Sequence, residues 1–449
     1  MTDPSPPLAD SWLASDRAVP RRLARPLRMF LGTEVAGGLV LLAATIVALA
    51  WANSPFHESY EALWHTEIRI AIGGFEIAED LRHWVNDGLM ALFFFVVGLE
   101  IKRELVGGEL SDRRNAALPA IAALGGMVVP ALLYALVNAG GGASSGWGIP
   151  MATDIAFAVG VLAVLGRRVP TGLKVFLLSL AIVDDIGAIL VIAVFYSGGL
   201  DAAWLALAAG LVAVVVALRR AKVRWVPLYA VVGAGLWLAT FESGVHATIA
   251  GVVLGLLTPA RPTDPGGFGD IVDEAAKLPA EPDAESLRVL RLQSNEVVSV
   301  AERLEHLLHP WTSFVVIPLF ALANAGLRID PSTLGSALTS RVSIGIVLGL
   351  VVGKLAGISA ASFLAVRAGW GRLPAGVGWS HIMGAAAVAG IGFTVSLFIA
   401  NLAFDDPVVA ENAKLGVFLA SLVAGGLGAA LLARGAQAPP GFDDASGDG

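Results

Sequence analysis

Residues 174–197 read KVFLLSLAIVDDIGAILVIAVFYS, with two aspartates, Asp184 and Asp185, in the middle of a run that is otherwise almost wholly apolar. About 20 apolar residues in a helix match a hydrocarbon core ~30 Å thick. The run therefore reads as a membrane-crossing helix that carries charge at mid-depth. Charge there costs several kcal/mol, so it marks a functional candidate by default. The rest of the chain follows the same pattern.

Of 449 residues, 56% are hydrophobic and only 15% charged, with a mean hydropathy of +0.74. A soluble domain needs about 25% charged residues to cover its surface, so lipid must cover most of this one. Cysteine is absent, which excludes disulfide scaffolds, thiolate metal sites and cysteine catalysis. About twelve apolar runs could span a bilayer: 30–52, 85–105, 116–138, 150–166, 174–197, 201–218, 225–241, 246–260, 310–327, 343–366, 376–402 and 412–433. No alternating ten-residue pattern points to a barrel, so the expected fold is an all-α polytopic membrane protein.

Orientation follows from the basic residues. With the N-terminus in the cytoplasm, 24 of the 30 Lys and Arg fall in the tails and inner loops, among them Arg21, Arg22, Lys102, Arg103, Arg113, Arg114, Arg167, Arg168, Arg219 and Arg220. The positive-inside rule then places both termini in the cytoplasm. The first apolar run follows a basic tail and ends near ALA, as a signal peptide can. It is longer than the ~7–15 apolar residues of such a peptide, so an uncleaved helix is expected.

Two loops stand out. In the outer segment WHTEIRIAIGGFEIAED (64–80), polar and apolar residues alternate up to Gly73-Gly74, the signal of a hairpin with a primed turn, expected over 67–77. Two strands alone are marginal in water, so they need a partner, such as a second copy of the same hairpin. The inner loop is Pro-, Gly- and acid-rich over about 261–290 and reads as a flexible linker.

Few other charges lie within spans. Asp154 follows Pro150 and Thr153 in GIPMATDIAFAVG, and Lys354 sits midway in LGLVVGKLAGISAASFLAV. Neighbouring carboxylates in a low dielectric titrate as a coupled pair. Oxygen ligands with negative charge also suit a small hard cation. Asp184 and Asp185 can hold protons or a cation, but not both at once. Lys354 is the natural counter-charge, and its plain alternative is a structural ion pair. For Asp154 the plain alternative is a helix cap, for Glu34 and Asp87 interfacial solvation, and for His246 a packed or capping histidine.

Spans three to five and ten to twelve share a character: a helix with Pro or Gly, an interrupted helix, then a long apolar one. The interruptions are Thr153-Asp154 in the fourth span and Gly384, Gly390 and Gly392 in the eleventh. The triplets, over about 116–197 and 343–434, start seven spans apart and so run in opposite directions across the membrane. Interrupted segments at matching positions of inverted repeats point to a midplane site.

Eight strings in order along the chain, NDGLMALFFFVVGLEIKREL, ATDIAFAVG, LAIVDDIGAI, SGVHATIAG, LEHLLHPW, PLFALANAG, VGKLAGIS and GIGFTVSLFIA, resemble the NhaA-type bacterial sodium/proton antiporters. The rule linking inverted repeats to a midplane site draws on that very family, so repeat and resemblance count as one indication. The resemblance implies a transporter domain over 30–434 between cytoplasmic tails at 1–29 and 435–449, with two discontinuous helices (spans four and eleven) crossing. It implies a pH-regulated, electrogenic exporter of Na+ or Li+ in exchange for H+ in the bacterial inner membrane. Asp184 and Asp185 would form the cation and proton site, Asp185 as principal cation ligand and Asp184 paired with Lys354. Asp154 would balance the broken-helix dipoles, and Thr153 could lend an oxygen. Glu100, Arg103, Glu104, His246 and Glu305 match positions linked to pH response at the cytoplasmic side. The outer hairpin would join a homodimer. No cofactor, enzymatic activity or nucleic-acid partner is implied.

Two rivals come from other classes. A sodium-coupled symporter of organic anions would need a polar pocket beyond the ion site, and no cluster marks one. An intramembrane aspartyl protease could use Gly267-Phe268-Gly269-Asp270, which fits a G-x-G-D string. That string lies in a polar loop, where it cannot supply a membrane-embedded carboxylate dyad.

Overall fold

A computed structural model describes residues 34–72, 75–221, 223, 225–262, 268–276, 283, 285–288, 290 and 297–435. The expected tail at 1–29, most of the one at 435–449, the Gly73-Gly74 turn and much of the loop 261–290 lie outside the described residues, as does the side chain of Glu34. The protein is mostly helical. The helices are α1 (Glu34–Ala52), α2 (His57–Trp64), α3 (Met90–Gly107), α4 (Arg113–Val137), α5 (Ile155–Leu165), α6 (Thr171–Phe195) and α7 (Ala202–Arg220). There follow α8 (Val226–Glu242), α9 (Thr248–Leu257), α10 (Val300–Asn324), α11 (Arg341–Arg367), α12 (Trp379–Val388), α13 (Phe393–Ala403) and α14 (Pro407–Gly435).

Among the described residues, seven helical segments are long and apolar enough to cross a bilayer: 113–137, 144–165, 171–195, 202–220, 300–324, 341–367 and 407–434. Two bent pairs qualify if each is taken as one span: α1 with α2, bent by 116°, and α12 with α13, bent by 46°. The outer surface fits a lipid solvent. Large apolar side chains stand exposed along these helices, including Leu136 (72%) on α4 and Leu422 (73%) on α14, where water would penalise them. This is a multi-pass membrane protein.

The strands β1 (Glu67–Ile72) and β2 (Phe75–Asp80) pair antiparallel from Glu67↔Asp80 to Ile72↔Phe75. The ladder runs three residues past the expected end at 77. It stops where Asp80 turns the chain, its carboxylate accepting from the His83 backbone N–H at 2.8 Å. That cap opens a helical turn that widens into a π turn over Trp84–Leu89 before α3. Further π turns lie within α10, at Thr312–Val316, and within α11, at Leu348–Gly353, the last ending at Lys354. Each π turn adds a residue to the helical turn, so it re-aims the side chains that follow, a device frequent at functional sites.

Packing divides the spans into two groups. The first holds α1, α3, α7, α8, α9 and α10, and the second holds α4, α6, α11, α12, α13 and α14. The groups touch through α3 against α6 and α10 against α13, and through α5, which packs on both α1 and α14. Within the second group α4 and α11 approach closely through facing glycines. A Cβ on Gly125 would collide with the Gly357 carbonyl, and one on Gly357 with that of Gly125. Small residues allow this backbone approach in membranes, and it carries Lys354 into the centre of the group.

Candidate functional site

Both helix interruptions are real, and they meet. Ala152–Asp154 form a buried extended passage after the 3-10 segment Ser144–Met151, and the backbone N–H of Asp154 donates to the Ile391 carbonyl at 2.6 Å across the gap. Asp154 then caps two helices at once. Its Oδ1 accepts from Phe157 N in the first turn of α5 (3.1 Å). Its Oδ2 accepts from Thr394 N (2.9 Å) and Thr394 Oγ1 (2.7 Å) in the first turn of α13. Two helix N-termini thus aim their positive ends at one buried carboxylate, which satisfies their orphan N–H groups and the charge together.

Thr153 and Lys354 build the adjoining part. Lys354 Nζ donates to Asp184 Oδ2 at 2.5 Å and to Thr153 Oγ1 at 3.0 Å, and the lysine and aspartate are both 0% exposed. The Thr153 hydroxyl has two acceptors in reach, Asp184 Oδ2 at 2.7 Å and the Ala389 carbonyl, at the end of α12, at 2.8 Å. With one proton to give, it serves one acceptor at a time. Asp184 Oδ1 is buried and has no hydrogen-bond partner among the described residues.

Asp185, the next residue on α6, is buried and receives no hydrogen bond among the described residues. Adjacent helical residues point ~100° apart, so the lysine that holds Asp184 leaves Asp185 free. Asp185 feels the charges of Asp184, Glu100, Asp154 and Lys354, which come from four different helices or breaks. The site therefore holds two kinds of oxygen: carboxylate atoms already paired, and carboxylate atoms buried without partners. A small hard cation or a proton satisfies the second kind.

The remaining candidates divide. Arg103 Nη1 donates to Glu305 Oε1 at 2.6 Å and Arg103 Nη2 to Glu104 Oε1 at 3.3 Å, with Glu100 in the same electrostatic cluster. This cluster joins α3 to α10 near Pro259, whose carbonyl accepts from Ala301 N. His246 is elsewhere. It precedes α9 at its other end and bonds the Tyr196 carbonyl through Nε2 at 2.7 Å. His246 is therefore separated from the other four by the length of α9, although all five were expected together at one side. The expectation grouped them by resemblance, whereas α9 runs between them.

Thr394 was not among the expected site residues. A threonine in the first turn of a helix that restarts after a glycine break is the signal that points to it.

A family profile described as "Na+/H+ antiporter 1" matches residues 28–432. The chain belongs to that family. It is 50% identical over 419 residues to a Na(+)/H(+) antiporter NhaA of Rhodopirellula baltica, covering 92% of this chain and 94% of that one. It is 46% identical over 432 residues to a NhaA of a Janthinobacterium species, covering 94% and 95%. It is also 46% identical over 413 residues to NhaA 3 of Frankia alni, covering 92% and 89%. For this antiporter family member, the relatives above carry antiporter names and lend no support to the protease or organic-anion readings.

Proposed function

We propose that the protein exports Na+ or Li+ in exchange for H+ by alternating access around Asp184 and Asp185. The single observation behind this site is the fully buried Lys354–Asp184 pair, bridged by Thr153 where the two broken helices meet, with Asp185 beside it unpaired. The deprotonated carboxylates take the cation. Its ligands are Asp185, the free Oδ1 of Asp184 and, from the break, the Thr153 hydroxyl or Ala389 carbonyl. Protons arriving from the other side displace it. Asp154 keeps the opposed helix ends balanced throughout and need not titrate. More than one proton exchanged per cation moves net charge, so about 2.3 kcal/mol per charge at 100 mV becomes available to drive export.

The same reading places twelve crossings in the bacterial inner membrane, both termini cytoplasmic, by adding Trp84–Gly107, α8 and α9 to the nine longer segments. Two inverted repeats, about 116–197 and 343–434, supply the crossing broken helices. Arg103, Glu100, Glu104 and Glu305 form a pH-responsive cluster at the cytoplasmic end, and His246 responds at the outer end. The hairpin edge pairs two copies into a homodimer, supported by the exposure of Ile68 and Ile70 on β1.

A proton-gradient dye in everted vesicles lacking other antiporters tests the activity. Failure of Na+ and Li+ to dissipate the gradient at alkaline pH would overturn the antiport reading. Full exchange by Asp185→Asn would overturn the site assignment while leaving the activity in place.

A further inference from the structure

Three asparagines on three helices form a cluster that the ion site does not use. Asn324, buried at the end of α10, donates through Nδ2 to Asn86 Oδ1 at 2.8 Å and accepts at its own Oδ1 from Asn401 Nδ2 of α13, also at 2.8 Å. Asn86, in the π turn before α3, lies 3.5 Å from the same Asn324 oxygen. Asn86 and Asn324 belong to the first group of helices, and Asn401 belongs to the second. The Asn401–Asn324 bond therefore crosses the boundary between groups, at one of the few places where they touch.

The same three elements repeat the contact one layer deeper, with aromatic rings. Phe94 and Phe320 both pack against Phe398 with tilted rings, their centroids 5.5 and 6.3 Å from its own, and all three rings are buried. Along α13 the order is Thr394 at the ion site, then Phe398, then Asn401. The seven steps from first to last span ~10 Å of helix. An apolar plug and a polar clasp thus stand in series between the site and one end of the bundle. A buried amide lacking its partner loses a hydrogen bond's net worth, so the clasp favours the closed arrangement while remaining weak enough to open.

We propose that Asn401, bonded to Asn324, which Asn86 holds in turn, is a positioning residue that latches the outer gate of the transport cycle. This rests on the alternating-access reading above. Exposing the site outward requires α13 to part from α10, which breaks the Asn401–Asn324 bond and separates the rings beneath it. In the arrangement described here, the latch is shut.

The natural absence of cysteine gives a clean test. Leu397, fully buried, lies four residues before Asn401 on α13, so Leu397→Cys reports access beneath the clasp. Its labelling by a membrane-impermeant maleimide is compared with and without Asn401→Ala, in right-side-out and in everted vesicles. The latch predicts labelling about fivefold faster from the outer face, the population shift that one net hydrogen bond supplies, with little change from the inner face. Asn324→Ala, which breaks both bonds, should label at least as fast, and if it folds poorly Asn401→Ala decides alone. Equal outer-face rates, or acceleration from the inner face only, would overturn the latch. Lack of Na+-driven exchange in the Leu397→Cys parent and the unaltered chain would count against antiport, and the labelling ratio would still judge the latch.

Discussion

Lys354 Nζ lies 2.5 Å from Asp184 Oδ2, with both side chains wholly buried. Such a pair repays its desolvation only while both partners are present. Lys354→Ala leaves Asp184 charged and unpaired, and should cost about 3–5 kcal/mol, read as a lowered unfolding temperature in detergent. Adding Asp184→Asn removes the orphaned charge and should recover much of that loss. Equal destabilisation in single and double variants would show that the pair contributes nothing through its charge.

Asp154 holds two helix starts, so its removal should exceed the loss of an ordinary cap. One cap is worth ~1 kcal/mol, and here the carboxylate accepts from Phe157 N and from both donors of Thr394. Asp154→Ala should therefore destabilise by about twice as much as Thr394→Ala, which keeps the cap on α5 and one bond to α13. Thermal unfolding of the two variants side by side checks the ratio. If they proved equal, the cap on α5 would carry no weight.

Much of this site can be read from the sequence, because charge is rare in the spans. Asp154, Asp184, Asp185 and Lys354 stand out one by one in apolar runs, and the Gly cluster 384–392 announces a break. What cannot be read is which groups the breaks bring together. The Asp154–Thr394 bonds and the Thr153–Ala389 contact join residues more than 230 positions apart; the Ala389 carbonyl carries no sequence signal, and Thr394 only its place just after a glycine break. Asn86, Asn324 and Asn401 escaped for a related reason: a search for charge passes over neutral amides, whose bonds form only once three helices are assembled. The π turn before Lys354 is equally hidden, since LGLVVG carries no break signal.

The α4–α11 approach predicts a sharp contrast between glycines. Gly125→Ala forces a methyl into the Gly357 carbonyl and the Ala361 side chain. Overpacking of this kind costs about 1–3 kcal/mol or more, and it would displace the helix that carries Lys354. Gly107→Ala meets nothing within 4 Å at the end of α3 and should be neutral or slightly stabilising. Expression and monodispersity in detergent distinguish them, and equal behaviour would sink the close-packing account.

The hairpin base should respond to pH on its own. Burial lowers the His83 imidazole's basicity, but its contacts with Asp80 (2.8 Å) outweigh that and hold it above its ordinary 6.5. Burial likewise pushes Asp80 upward, yet the bonds from His83 and His65 bring its carboxyl below 3.8. The signs then fix the window. The His83 contribution is complete below 6.5 and lost as pH rises through its raised value. The Asp80 contribution is complete above 3.8 and lost as pH falls through its lowered one. Backbone amide protection in β2 should peak between those limits and decline as pH rises above 6.5. His83→Asn should abolish the alkaline decline while leaving the acid one, whereas an unchanged profile would show that the imidazole plays no part in holding the strands.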